Sequence, residues 1–343
     1  MKLIAYNDAL HKTKWDEFAS TKGTFFHLST WLKVIQATYR FEPNYYLWEQ
    51  DGCIGGILPA FRVKRPFAGY ALISNPFSVS AGPLTMDPGD QIEFVDAIAK
   101  QATAAGINYI ELRDVDRDIE LDVNEGWVSE HQFATFEKQL TPSEEDNFLA
   151  IPNRQRAVIR KADAMGLTLD QHRDIKRFLS VYATSLRDLG TPIYPARYFE
   201  ALLNFFPAQT SLFSVKHQEC DLSSVLCFNF NNRLMPYYGG GTRLARNFHS
   251  YPWMYWQLMK HGLALDQNVF DFGRSPIDSG AYQFKKNLGF TPRKMKYCYL
   301  SINGNLPDLT PNSAVVKHLT SVWRHLPLPL TKTLGPLGAI YAV

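Results

Sequence analysis

Cysteine is scarce, with only Cys53, Cys220, Cys227 and Cys298 in 343 residues. None forms a Cys-x-x-Cys pair and none stands beside histidines at zinc spacing, which argues against a structural metal site. Free thiols in a reducing compartment are the expectation. The segment from Met1 to Lys14 carries charges and no continuous apolar core, so it does not read as a signal peptide. A run of 18 apolar residues is also missing, so no membrane-spanning helix is expected. Together these absences predict a cytoplasmic protein, with peripheral contact at a membrane face left open. Charge of one sign is lacking too: 36 basic against 33 acidic residues leave +3. Such a balance demands no nucleic-acid partner, although a local patch could serve one. Missing as well are a Gly-x-Ser-x-Gly elbow, a phosphate-binding P-loop and a His-Glu-x-x-His pair, which removes the common hydrolase, NTPase and metalloprotease schemes.

What is present reads as globular. Hydrophobic residues at 45% and charged residues at 20% build cores, and the length suits two domains. Helices are expected over 13–20, 29–39 and 91–106, the last with Ile92, Val95, Ile98, Ala99 and Ala102 at helical spacing. Strands are expected over 44–48, 53–63, 108–113 and 131–140, with Asp51-Gly52 as a hairpin turn. A basic helix over 153–165 carries Arg154, Arg156, Arg160 and Lys161. The second half repeats the plan: helices over 174–189 and 198–206, strands over 210–217, 223–231 and 233–239, a helix over 252–262, a strand over 268–272, a helix over 281–288 and a strand over 295–302. The repeat is one of architecture, not of residue identity.

The richest stretch is Asp271-Phe272-Gly273-Arg274-Ser275, followed by Phe284-Lys285-Lys286-Asn287-Leu288-Gly289-Phe290. A strand ending in a glycine turn and feeding a short helix often lines a ligand crevice in α/β sheets. Phe284, Leu288 and Phe290 read as core, while a lysine beside Phe284 can point into a cleft. Tyr237 and Tyr238 sit on a strand and should face opposite ways, with Tyr238 the candidate for the cleft. Gly239, Gly240 and Gly241 suit close approach of a ligand or a turn. The acidic alternation Asp114, Asp116, Asp118 and Glu120 reads as a solvated loop rather than a cation site.

These residues resemble the FemAB family of aminoacyltransferases, whose chains are built on GNAT-like domains. The run Phe284-Lys285-x-x-Leu288-Gly289-Phe290 is similar to the C-terminal signature of GNAT acyltransferases. The stretch from Asn153 through Arg160-Lys161-Ala162 to Gly166 resembles the family's arginine-rich approach to its second domain. Asp188-Leu189-Gly190-Thr191-Pro192, Tyr237 to Gly241 and the Asp271 run look typical of the FemAB-related group associated with exosortase (PEP-CTERM) and exopolysaccharide systems. The family's helical-arm insertion has no room in this chain. The resemblance implies an α/β (α+β) protein of two tandem GNAT-like acyl-CoA N-acyltransferase domains, with mixed central sheets flanked by helices. On that plan the N-terminal domain covers 1–145, a basic helical linker 146–172, the C-terminal domain 173–305 and a tail 306–343.

The implied activity is transfer of an acyl or aminoacyl group to an amine of a cell-envelope or exopolysaccharide precursor, a peptide or an amino sugar. The resemblance implies Lys285, after Phe284, in the active site, and Asp271 and Tyr238 join it as candidate catalytic residues by their chemistry and place on the strands. Phe284, Arg274, Gly239, Gly240, Gly241, Arg154 and Arg156 are the implied substrate-binding residues. Lys285 would place positive charge at an oxyanion or phosphate, and Arg274 would fork onto a phosphate or carboxylate. No metal and no tightly bound cofactor is implied. The donor is either acyl-CoA, suited to the missing arm, or aminoacyl-tRNA, suited to the basic linker. The expected donor loop, 239–251, lacks the usual Gln/Arg-x-x-Gly-x-Gly/Ala sequence. A non-catalytic binding protein is the alternative, since one copy of a duplicated domain can lose its chemistry.

Overall fold

The computed structural model describes residues 1–65, 68–115, 119–121, 126–303, 306 and 314–340. In chain order the first elements are β1 (Lys2–Ala5), α1 (Asp8–Lys22), α2 (Trp31–Tyr39), β2 (Glu42–Pro43), β3 (Tyr46–Gln50), β4 (Cys53–Leu58), β5 (Ala60–Arg65), β6 (Gly69–Ser74), β7 (Leu84–Thr85), α3 (Gln91–Ala104), β8 (Tyr109–Arg113) and β9 (Trp127–Glu130). There follow β10 (Phe133–Gln139), α4 (Glu144–Leu149), α5 (Asn153–Asp163), β11 (Thr168–His172), α6 (Ile175–Leu189), α7 (Ala196–Phe205), β12 (Thr210–His217), β13 (Cys220–Phe230), β14 (Arg233–Gly241) and α8 (Ser250–Ala264). The chain continues through β15 (Val269–Pro276), α9 (Gly280–Asn287), β16 (Thr291–Lys294), β17 (Tyr297–Ser301), α10 (Ala314–Arg324) and α11 (Leu328–Ala339).

Two units emerge, one of residues 1–132 with 294–308 and one of residues 133–293 with 309–342. The first unit takes its strand β17 from beyond the whole strand-bearing stretch of the second. The first unit holds a sheet of order β1-β3-β4-β7 and another of order β2-β5-β6-β8-β17-β9. The second holds a single sheet of order β11-β12-β13-β14-β15-β10-β16. The strand expected over 131–140 therefore pairs in the second sheet, and the closing strand over 295–302 pairs in the first.

In the first unit, Asp51 and Gly52 both take positive φ (51° and 77°), the geometry a tight hairpin turn requires. The strand expected over 53–63 is broken at Pro59, and its halves, β4 and β5, enter different sheets. Proline has no N–H for a ladder, so it marks the corner. The core gathers Trp48, Leu72, Phe94, Ile98, Ile110, Trp127 and Cys298. The central parallel pair, β6 and β8, is joined from Ala71–Tyr109 to Ile73–Glu111. Beyond it the Ser74 hydroxyl accepts the Arg113 N–H at 2.8 Å. The Arg113 side chain, 3% exposed, donates to Glu111 at 2.7 Å and to the Ser78 carbonyl at 2.9 Å. Buried His27 sits 2.9 Å from the Gly82 carbonyl, and burial lowers its imidazole to about 4. A buried polar plug thus fills the strand ends of this unit. Of the acidic alternation, Asp116 and Asp118 lie outside the described residues, and no group of metal-ligating side chains occurs among those described.

In the second unit every neighbouring pair with a described register is antiparallel except β14 and β15. Asp174 caps α6 by accepting the Arg177 N–H at 3.1 Å, and Gly190 ends it at φ 78°. Phe178, Val181, Tyr182 and Ser185 form its buried stripe. Phe136, Val225, Met254, Leu258, Phe270, Phe272, Leu288 and Phe290 make the core on the α8 side. The stretch expected to be a tail, 306–343, contains the helices α10 and α11, with Pro336 inside the second.

Glycines 239–241 lie in β14 itself rather than in a loop, paired to Val225, Ser224 and Ser223. A Cβ at Gly240 would meet Ser185 Cβ of α6 at 2.7 Å, while one at Gly239 or Gly241 would meet the Tyr255 or Tyr251 hydroxyl of α8 at 3.1 or 2.8 Å. The glycines let helices close on both faces of one strand. Gly240→Val is expected to cost about 2–3 kcal/mol by overpacking, read as a lower urea midpoint with an unchanged slope.

Candidate functional site

Strands β14 and β15 run parallel but pair only at Arg233–Val269 and Leu234–Phe270. Both continue beyond that point, so their C-terminal halves are unjoined by described ladder bonds. Two bulges shape the opening. In β14, Leu226 of β13 faces Tyr238 and Cys227 faces Pro236, so Tyr237 is the extra residue of a bulge. In β15, Phe272 and Gly273 together oppose Phe136, because Thr135 pairs with Arg274 and Glu137 with Asp271. Gly273 takes φ 62°, which only glycine adopts without cost.

The bulge in β15 turns three successive carbonyls toward one point, and Lys285 occupies it. Its ammonium donates to the carbonyls of Phe272 (2.7 Å), Gly273 (3.0 Å) and Arg274 (3.1 Å). The rings of Phe136 and Phe272 lie 5.3 and 5.5 Å from it. Helix α9 delivers the side chain, with Ser279 capping its first turn through the Tyr282 N–H. Lys285 is 8% exposed, and burial lowers it to about 7 against the opposing charge of Asp271. Three acceptors match the three hydrogens of an ammonium; a neutral amine has two. Neighbouring Lys286 is exposed.

Asp271 accepts the Gly273 N–H at 2.8 Å. Burial, with Glu137 beside it, raises its carboxyl to about 6 against Gly273 N–H, Arg233 and Lys285. Arg274 stacks its guanidinium 4.3 Å over the Phe133 ring. Phe284 is half-buried, its ring 5.7 Å from Tyr255 and 6.5 Å from Phe272. Asp271, Arg274, Phe284 and Lys285 are therefore brought together around the bulge.

The tyrosines depart from simple alternation. The β14 bulge brings the rings of Tyr237 and Tyr238 within 4.7 Å of each other, both beside Phe228, rather than on opposite faces. Tyr238 is 6% exposed, and its hydroxyl meets that of Tyr198 at 2.7 Å, inside a cluster with Tyr182, Tyr194 and Phe199. Burial raises both Tyr182 and Tyr238 well above the ordinary phenol value. Tyr237 reaches across to β15, its ring 3.9 Å from where a Gly273 Cβ would stand.

Arg154 and Arg156 open α5 and make no hydrogen bond or ion pair with Asp271, Arg274 or Lys285 among the described residues. Arg154 is exposed, and the Arg156 Nε is buried without a hydrogen-bond partner. Farther along, Arg160 lies 5.2 Å over the Phe148 ring beside a groove of about 470 Å³ that Glu144, Glu145, Asp163 and Lys260 also line. Acidic side chains thus offset part of the basic helix. Tyr251 and Tyr255 are residues near the bulge that sequence reasoning passed over, and Tyr237 is one it set below Tyr238. A signal existed: tyrosines at i and i+4 of a helix match glycines at i and i+2 of a strand.

Residues 153–286 match the family model described as Acetyltransferase (GNAT) domain. Among solved structures the chain is similar to FemX, with 15% identity, TM-score 0.68, and coverage of 88% of this chain and 97% of that one. It is also similar to L-PGS from Bacillus licheniformis (11% identity, TM-score 0.57, covering 92% and 97%). A tandem GNAT protein from the clavulanic acid biosynthesis pathway is similar at 10% identity and TM-score 0.55, covering 89% and 99%. No curated protein matches the chain. The fold is mixed α/β, like that of tandem GNAT proteins, and the stretch that matches the GNAT model lies in the second unit. No helix among the described residues is long and apolar enough to cross a membrane.

Proposed function

We propose that the chain is an acyl- or aminoacyltransferase whose reaction takes place at the unjoined ends of β14 and β15. The observation that carries this reading is Lys285, a buried ammonium held by three carbonyls of the β15 bulge beside Asp271. In the reaction the amine nitrogen attacks the donor carbonyl and gives up its proton. The thiolate of CoA or the ribose oxygen of tRNA leaves. Charge accumulates on the carbonyl oxygen in between, and a fixed ammonium in a low-dielectric pocket stabilises it. Lys285 acts through its field, or by exchanging one protein carbonyl for the substrate oxygen. Asp271, raised toward neutrality, is the group placed to take the amine proton. Tyr237, Phe284 and Tyr255 line the apolar wall, and Arg274 holds an anionic part of the substrate. Arg154 and Arg156 contact donor phosphates, and the aromatic cluster around Tyr238 supports the strand.

The donor is acyl-CoA or aminoacyl-tRNA, and the acceptor an amine on a cell-envelope or exopolysaccharide precursor, processed on the cytoplasmic side. The FemX likeness and the resemblance to exosortase-associated proteins support that acceptor class. One observation favours a second reading, a non-catalytic binding protein: all three Lys285 hydrogens are already taken by the protein. Thermal shift with acyl-CoA thioesters, then with aminoacyl-tRNA, separates these readings. A donor at a hundred times its dissociation constant stabilises by about 2.7 kcal/mol, a shift of a few degrees. A shift with either donor, followed by an acylated amine product, is expected; no shift with both leaves the binding-protein reading.

A further inference from the structure

The rungs that join β14 to β15 are Arg233–Val269 and Leu234–Phe270. Asp271 is the first residue of β15 beyond them, at the fork where the two strands part. Its direct partner in the register with β10 is Glu137. Residues paired across a rung share a face of the sheet, and so do i and i+2 of one strand. Arg233, Val269, Asp271 and Glu137 therefore stand on one face, opposite to Leu234 and Phe270, which join the core.

On that face the Arg233 guanidinium donates to the Glu137 carboxylate at 2.5 Å. Strand β15 runs between β14 and β10, so this ion pair crosses over β15 at the fork and ties three strands together beside Asp271. Glu137 also stands 4.0 Å from Arg293 of β16. A sheet arranged for stability sets opposite charges across a rung, and like charges there are unfavourable. Here two carboxylates face each other, and the cation that answers them reaches over from one strand away. Departures of this kind from a local rule gather at working sites. The Arg233 and Glu137 side chains are 35 and 33% exposed, so the pair itself adds little stability.

We propose that Arg233 and Glu137 are positioning residues for the transfer, forming a strap across β15 that decides the charge Asp271 meets at the fork. The inference rests on the reading of Asp271 as the group that takes the amine proton. The charged side chains that act on Asp271 are Glu137 from β10 and, in the opposite sense, Arg233 from β14 and Lys285 from α9. While the strap is made, Arg233 is drawn to Glu137 and a carboxylate stands across the rung from Asp271. Both effects hold the Asp271 proton more firmly, which lets the group accept a proton from an ammonium near neutral pH. Cutting the strap from its two ends therefore has opposite consequences. Without the Glu137 charge, Asp271 meets a cation alone; without the Arg233 charge, it meets a carboxylate alone.

The test is a carboxyl-carbon NMR titration of Asp271 in the full chain at low salt, run beside the pH profile of kcat/KM for the transfer. The unaltered protein should titrate at about 6. Glu137→Gln should lower that midpoint by roughly half a pH unit or more, and Arg233→Met should raise it by a similar amount. Arg233→Lys, which keeps the cation, should titrate below Arg233→Met. The acid limb of the rate profile should follow the same order. Should the arginine variants unfold, Glu137→Gln decides alone, since it preserves the size of a half-exposed side chain. An ion pair with a structural role only would give no shift, or shifts of one sign, and that result overturns the strap while leaving the transfer reading in place. Midpoints that move in the expected order under an unmoved rate profile would remove Asp271 from the proton transfer, and this inference with it.

Discussion

Replacing Lys285 by methionine should lower kcat/KM for the proposed transfer by roughly 10²–10³-fold, the usual loss when one group facing a developing oxyanion is removed. Methionine keeps the apolar stem against Phe136 and Phe272 while deleting the charge. The fold should survive: three carbonyls lose their donor, but the desolvation of a buried ammonium is lost with it. Lys286→Ala, at the exposed neighbour, should leave turnover within about twofold, because solvent screens that charge. Equal rates for the two variants would remove Lys285 from the chemistry. Stability gives an independent reading. The Lys285 ammonium titrates near 7 in the folded chain and near 10.5 in an unfolded one. Between those values the unfolded state binds more protons, so this group adds stability as pH rises from about 7. Below 7 both states are protonated and its contribution is flat. The slope is at most about 1.4 kcal/mol per pH unit. Urea unfolding at neutral and alkaline pH should therefore show a rise in the unaltered protein that Lys285→Met lacks.

The second large effect is expected in the first unit. Arg113→Met should destabilise it by about 3–5 kcal/mol, because it leaves Glu111 buried without its cation. The Ser78 carbonyl loses a donor at the same stroke. The double variant Arg113→Met with Glu111→Gln should recover part of the loss, since no unpaired charge remains. Denaturant unfolding of both measures the difference, and a single variant as stable as the parent would mean that water reaches the plug.

Much of this architecture is legible in the sequence because it is local. The Asp51-Gly52 turn follows from left-handed backbone preferences, α6 from its cap and buried stripe, and α9 from a strand, a turn and an amphipathic octet. The bulges are not legible in the same way. Tyr237 and Tyr238 read as alternating, and only the register against β13 shows that one residue is extra. The role of the triple glycine was hidden for a related reason. Close approach from α6 and α8 is a property of three elements far apart in sequence. Lys285 was visible as a candidate, but its three carbonyl partners depend on a kink in β15 that residue types alone do not specify. Strand partners were the least legible, since β10 and β17 carry ordinary alternating patterns that fit either sheet.

Those two strands bear on how the chain comes apart. β17 lies between β8 and β9, yet it is made after all of α5 to β16. A fragment cut anywhere before it leaves β8 and β9 with open edges and nothing between them. β10 lies between β15 and β16, so a fragment that starts after it opens the other sheet in the same way. Protease nicks between the units would therefore not release two stable halves, and a growing chain emerging from a ribosome cannot finish the six-stranded sheet of its first unit until every strand of the second has been synthesised.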